Sequence, residues 1–179
     1  ALVQEAIEAV DGLRLVDPLV ECRRLSTLGA AQLMQKNGDA AVLQFEQAAA
    51  GSTSHAIRAE AECGRALAIL LARGPDAARA AIDEAAKIPP FVIGGRPEPS
   101  AQVAAMDVRY RIERARADAL AQGPARLAAM TRAFDELLAL VRRTDLGLDE
   151  TQRRGIALGK IATAGEGLDF NAKDAPAVA

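Results

Sequence analysis

The sequence predicts an all-α protein of about eight helices, stacked as antiparallel hairpins with no β-sheet. Three observations predict it. Alanine supplies 41 of the 179 residues, while aromatic residues make up 3% and tryptophan is absent. Alanine is the strongest intrinsic helix former, and sheets draw on β-branched and aromatic residues. Apolar residues recur at near-helical spacing, as in Leu19, Cys22, Leu25, Leu28 and Leu33. Turn signals fall between the apolar stretches at Asn37-Gly38, Gly74-Pro75 and Gly123-Pro124.

Each element follows from its own punctuation. A short lead helix precedes Asp17-Pro18, which reads as an N-cap with proline at the first helical position, where a missing N–H costs nothing. The helix from there runs to Asn37-Gly38, where Gly38 suits a left-handed terminating residue. Asp39 caps the next helix, which carries Val42, Phe45 and Ala49 and stops near Gly51. Ser54 caps a long helix through Cys63, Leu67 and Leu70 to Gly74, and a shorter one follows from Asp76 to about Lys87. Residues 88–100 hold four prolines and two glycines and form the one long break. Ser100 caps a third long helix to Gln122, and its partner follows Gly123-Pro124 and reaches Arg143. A closing helix starts at Asp149, where Gln152 three residues on makes a capping box, and ends near Ala164. Residues 1–164 thus read as one helical domain, and 165–179 as a flexible tail.

The hairpin turns at Gly38, Gly74 and Gly123 are 36 and 49 residues apart, and recurrence at this period is a mark of stacked helical repeats. Second helices echo one another: Ala41, Phe45, Ala48 and Ala49 match Ala78, Ile82, Ala85 and Ala86. The third hairpin offers Met130, Phe134, Leu137 and Leu138. With Leu25, Leu28 and Gly29 upstream, the first hairpin resembles a tetratricopeptide-like repeat, of the TPR or Sel1 type. In these families a leucine–glycine pair marks the first helix, and alanine, a large apolar residue and alanine mark the second. Small residues let the helices cross closely while the large one plugs the gap. Gln32 departs from the pattern, which wants an aromatic there, and the helix-ending proline is missing. The resemblance implies either a right-handed superhelical array or a compact bundle, and a groove that binds another protein or peptide. Alanine-rich hairpins of this kind also resemble the helical-repeat regions of large bacterial regulators, so an excised domain is expected.

Composition excludes several functions. A net charge of −2 supplies no global field for nucleic acid or an anionic membrane. No stretch approaches the roughly 18 uninterrupted apolar residues of a membrane span. Cys22 and Cys63 match neither a disulfide framework nor a zinc pattern and read as buried small side chains, which fits a reducing, cytoplasmic setting. The first residue is Ala1, with Glu5 and Glu8 close behind, so no signal peptide is visible and the start reads as processed or excised.

No motif carries catalysis, so the expectation is a non-enzymatic interaction module with no catalytic residue, cofactor or metal. The sole histidine, His55, sits at a helix start without partners for a triad or metal site. Gly155 to Ile161 resembles a phosphate loop but lacks its glycine spacing, its Ser or Thr and its preceding strand, and reads as a helix face where glycine permits close packing. Asp83, Glu84, Glu113 and Asp118 read as solvated acids, and Asp107–Arg111 and Arg114–Asp118 as i, i+4 pairs. Partner-binding candidates fall in two places. Arg109, Tyr110 and Arg116 cluster arginine around the only tyrosine. Phe91, Ile93 and Arg96 lie in the proline-rich break, which either covers a hairpin junction or forms a partner or homodimer contact. A second reading is a bundle sensor enclosing a small apolar ligand near Met106, Met130 and Phe134, and a third is an enzyme without recognisable motifs.

Overall fold

The computed structural model describes residues 2–11, 17–85, 87–88, 92–93, 96–97 and 99–165. Its helices are α1 (Leu2–Asp11), α2 (Pro18–Met34), α3 (Gly38–Gly51), α4 (His55–Arg73), α5 (Pro75–Ala85), α6 (Ser100–Asp118), α7 (Pro124–Arg142) and α8 (Glu150–Gly165). Between α5 and α6, β1 (Val92–Ile93) and β2 (Arg96–Pro97) form one antiparallel ladder, with Val92 opposite Pro97 and Ile93 opposite Arg96. That ladder is the only extended pairing among the described residues, and it leaves the all-α class intact. The tail expected beyond 165 lies outside the described residues.

Local chemistry sets the helix ends. The Asp17 carboxylate accepts from the Leu19 N–H at 2.8 Å, with Pro18 at the first helical position. At the other end of the chain, the Asp149 N–H donates to Gln152 Oε1 at 3.0 Å while the Gln152 N–H donates to Asp149 Oδ1 at 2.8 Å. This reciprocal box starts α8 as the spacing predicts. Two other caps differ. Ser54 holds the N-cap position of α4 without a side-chain cap bond, and α6 begins on Ser100 itself, behind Pro99.

The first hairpin turn corrects the reading of Gly38. The left-handed residue is Lys36, at φ 61, and the Asn37 N–H returns to the Gln32 carbonyl at 2.9 Å. Gln32, the odd residue of the repeat pattern, also accepts from the Asn37 side chain at 3.1 Å. Gly38 is instead the first residue of α3, where a Cβ would fall 2.9 Å from the Ala72 Cβ of α4. Glycine is there for proximity, and Asp39 lies in the first turn rather than at the cap. Gly74 (φ 87) and Gly123 (φ 140) do adopt backbone that glycine alone enters readily.

Packing is local along the chain. Every helix touches its neighbours in sequence, and α2–α4 and α4–α6 are the only next-but-one pairs in extensive contact among the described residues. The core is accordingly a series of clusters rather than one centre. Leu25 packs on Ala48, Ala49 and Ala61, then Phe45, Ile69, Ile82 and Ile112 join α3 to α6. Tyr110 packs on Ala133 and Leu137, and Met106, Leu140, Leu146 and Ala157 join α6 to α8. The echoing residues Ala41, Phe45, Ala48 and Ala78, Ile82, Ala85 are all buried. Phe45 fills the space between α2 and α4: a Cβ on Gly29 would lie 2.8 Å from its ring, and one on Gly64 closer still.

In the third hairpin the buried positions of α7 are Ala129, Ala133, Leu137 and Leu140, one residue earlier than the expected Met130 and Phe134, while Leu138 is exposed. The helix is rotated so that its alanines meet α6. On α8, an added Cβ at Gly155 or Gly159 would meet nothing within 4 Å, so neither glycine serves close packing.

Candidate binding site around the sixth helix

Helix α6 collects most of the polar side chains that leave the surface. Its face of Met106, Tyr110, Glu113 and Ala117 is buried at i, i+4, i+7 and i+11. Glu113 is 7% exposed, because two arginines reach it. Arg79 of α5 donates to Glu113 Oε1 at 3.3 Å, to Glu136 of α7 at 2.9 Å and to Asp83 at 3.3 Å. Arg116 donates to Glu113 at 2.5 Å and to Asp76 at 2.7 Å. Burial works against the Arg79 charge, but the bond to Glu136 and the charges of Glu136 and Asp83 outweigh it and hold the guanidinium above its ordinary value. Glu113 is thus not a solvated acid, whereas Asp83 is half exposed although paired. They tie α5, α6 and α7 together beside an open groove of about 450 Å³ that also touches Arg132 and Asp135.

Near the start of α6 lies a second recess, a cavity of about 140 Å³ between α4, α5, α6 and the turn after α7. Ala59, Cys63, Ala85, Ala101, Ala105 and Met106 give it an apolar wall, and Gln102, Arg109, Arg143 and Asp145 give it a polar one. Gln102 Oε1 and Arg109 Nε are buried without a hydrogen-bond partner, whereas Arg109 Nη2 donates to Asp83 at 3.1 Å. Arg143 grips Asp145 with Nε and Nη2, each at 2.6 Å. That pair's hydrogen bonding holds the Asp145 carboxyl below its ordinary value against weak burial. Burial, then the charges of Glu62 and Glu60, push the Cys63 thiol up to about 12. Its Sγ points at the Ala101 carbonyl, 4.0 Å away.

The residues expected to bind a partner are dispersed. Arg109 joins the cavity wall, and Arg116 joins the ion-pair network. Tyr110 is 6% exposed, its ring 5.9 Å from that of Phe134 and its hydroxyl 3.1 Å from Arg114 Nη1. The buried stripe of α6 takes the tyrosine inside, so it offers no ring to a partner. Ile93 and Arg96 are paired across the two-residue ladder, and Phe91 lies outside the described residues. Met106 lines the cavity, and Met130 and Phe134 are not among its lining residues.

Cys63, Gln102, Arg143 and Asp145 were not candidates from sequence. The i, i+7 spacing of Gln102 and Arg109 is a signal for a shared face. Nothing local says that residues 143–146 come to meet it. Among the described residues, His55 is exposed at the first turn of α4, Cys22 and Cys63 are free and buried, and no group of three His, Cys, Asp or Glu could hold a metal. Gly155 and Gly159 lie within helix α8, where no loop cradles a phosphate. No helix among the described residues is long and apolar enough to cross a membrane. Neither a protein-family model nor a curated protein nor a solved structure matches the chain.

Proposed function

We propose that the chain is a non-enzymatic protein–protein interaction module, a helical-repeat scaffold or adaptor that would serve within a larger bacterial regulator. The observation that carries this reading is the stacking. Helix α2 meets α1, α3 and α4, and its side opposite the buried Cys22 and Gly29 stays uncovered. Val20, Thr27 and Met34 share that side of α2 at i, i+7 and i+14, and Leu71 is exposed on α4. Met34 is 74% exposed, the most of any large apolar side chain described. Apolar side chains on an uncovered face flanked by charged residues such as Arg23 suit a protein partner. The ion pairs among α5, α6 and α7 support a structural rather than an acid–base role for the clustered charges.

The test is site-specific photo-crosslinking in cells, with the photoreactive residue at Met34, at Leu71, or at Leu43, which is exposed on α3. The proposal expects a discrete protein adduct from Met34 and Leu71 and none from Leu43. An adduct of twice the chain mass would identify the partner as a second copy. Adducts at no position, or at Leu43 alone, would overturn the assignment.

A further inference from the structure

We propose that the cavity bounded by α4, α5, α6 and residues 143–146 binds a small monocarboxylate with a hydrogen-bond donor beside its carboxylate, that is, a 2-hydroxy or 2-amino acid. This inference does not rest on the protein-interaction reading. Size admits such a molecule. The cavity measures about 140 Å³. A single water needs about 10–15 Å³ of such space, so about ten non-hydrogen atoms fit.

The chemistry of the wall selects the ligand class. Arg109 keeps Nη2 on Asp83 and has Nε buried without a partner. A guanidinium N–H left over in this way is a strong donor for a carboxylate oxygen. Gln102 Oε1, also buried and unpartnered, requires a donor, which a hydroxyl or ammonium on the adjacent carbon supplies. The two residues lie two helical turns apart on one face of α6 and line the same cavity with Ala105 and Met106. Arg109 and Arg143 are balanced by Asp83 and Asp145, so the site offers one free guanidinium N–H to a single carboxylate rather than an excess of positive charge. A phosphate dianion would want more donors and would face Asp145 and Asp83. The alanines of the opposite wall leave room for a short aliphatic chain.

Nitrogen–proton NMR tests this directly, because the Arg109 Nε–H gives its own signal. Lactate and alanine should shift that signal saturably, acetate more weakly, and acetamide not at all. Gln102→Met should weaken lactate and alanine about tenfold while leaving acetate unchanged. Arg109→Lys, which keeps the charge facing Asp83 but has no Nε–H, should weaken lactate about tenfold as read from the backbone amide signals of residues 101–106, with circular dichroism reporting that the variant is folded. If Arg109→Lys does not fold, the wild-type titrations and Gln102→Met decide alone. No saturable shift with any carboxylate, equal shifts with acetamide, or stronger shifts with inorganic phosphate would overturn the proposal.

Discussion

The Phe45 ring of α3 rests so closely on Gly64 of α4 that a single methyl group at that position would overlap it, more severely than the 2.8 Å approach at Gly29 on the other side. Two helices are therefore spaced by one aromatic ring and two absent side chains. Gly64→Ala gains about 1 kcal/mol in helix propensity but meets an overpacking cost of about 1–3 kcal/mol. It should lower the denaturant midpoint, and adding Phe45→Leu should recover part of the loss. Gly155→Ala on α8, where nothing lies within 4 Å, should do the opposite and stabilise by about 0.5–1 kcal/mol. Urea melts of the four proteins decide it; a higher midpoint for Gly64→Ala would refute the ring contact.

Glu113 holds two arginines from different directions, so its removal takes a shared acceptor from two partly exposed guanidiniums. Glu113→Ala should cost about 1–3 kcal/mol, and Glu113→Gln, which keeps the shape and one acceptor, noticeably less. Asp76→Ala removes only the exposed end of the same network, at 92% side-chain exposure, and should cost well under 1 kcal/mol. Equal losses for Glu113→Ala and Asp76→Ala would show that the network does not depend on its buried acid.

Asp145 titrates low because Arg143 donates two hydrogen bonds to it. A depressed folded value means that this pair stabilises above the ordinary carboxylate range and that its contribution fades as pH falls through the lowered value. Carbon NMR of the Asp145 carboxyl should show this displacement, and Arg143→Gln should return it toward normal. An Asp145 signal unmoved by Arg143→Gln would contradict the pairing.

The Cys63 thiol shows the reverse sign. Its value is raised from the ordinary 9.0 to about 12, so the fold favours the neutral form, and the associated stability is present below 9.0 and lost as pH rises toward 12. Iodoacetamide should therefore label Cys63 slowly in the native protein and quickly in urea. Cys63→Ala should lose less stability relative to wild type at alkaline pH than at neutral pH. Rapid native labelling would place the thiol at the surface instead.

Sequence carried the parts of this structure that are settled within a turn or two of chain. Asp17-Pro18 and the Asp149–Gln152 box bond across two or three residues, so their types and spacing suffice to read them. The alternation of small and large residues around Phe45 and Ile82 was legible for the same reason, because it repeats on one helix face. What escaped depends on how helices cross. Lys36 takes the left-handed turn because Gly38 is needed against Ala72, and that conflict involves a residue 34 positions away. Glu113 is a solvated acid in any reading of α6 alone, and only Arg79 and Arg116 together explain its burial. The cavity draws its lining from Ala59 through Leu146, so no window of sequence contains it. Tyr110 reads as a surface aromatic among arginines until α7 is laid along its face.

Neighbour-only bracing also has a consequence for how the chain comes apart. With no extensive contact from α8 back to α2 among the described residues, disruption at one end need not be transmitted to the other, and stability is close to a sum of local junction energies. The molecule should fray from its ends inward, at α1–α2 and α7–α8, which are joined less extensively than most consecutive helices between them. A melt followed at single sites would then show a staircase rather than one step, with the Phe45 region as its last tread.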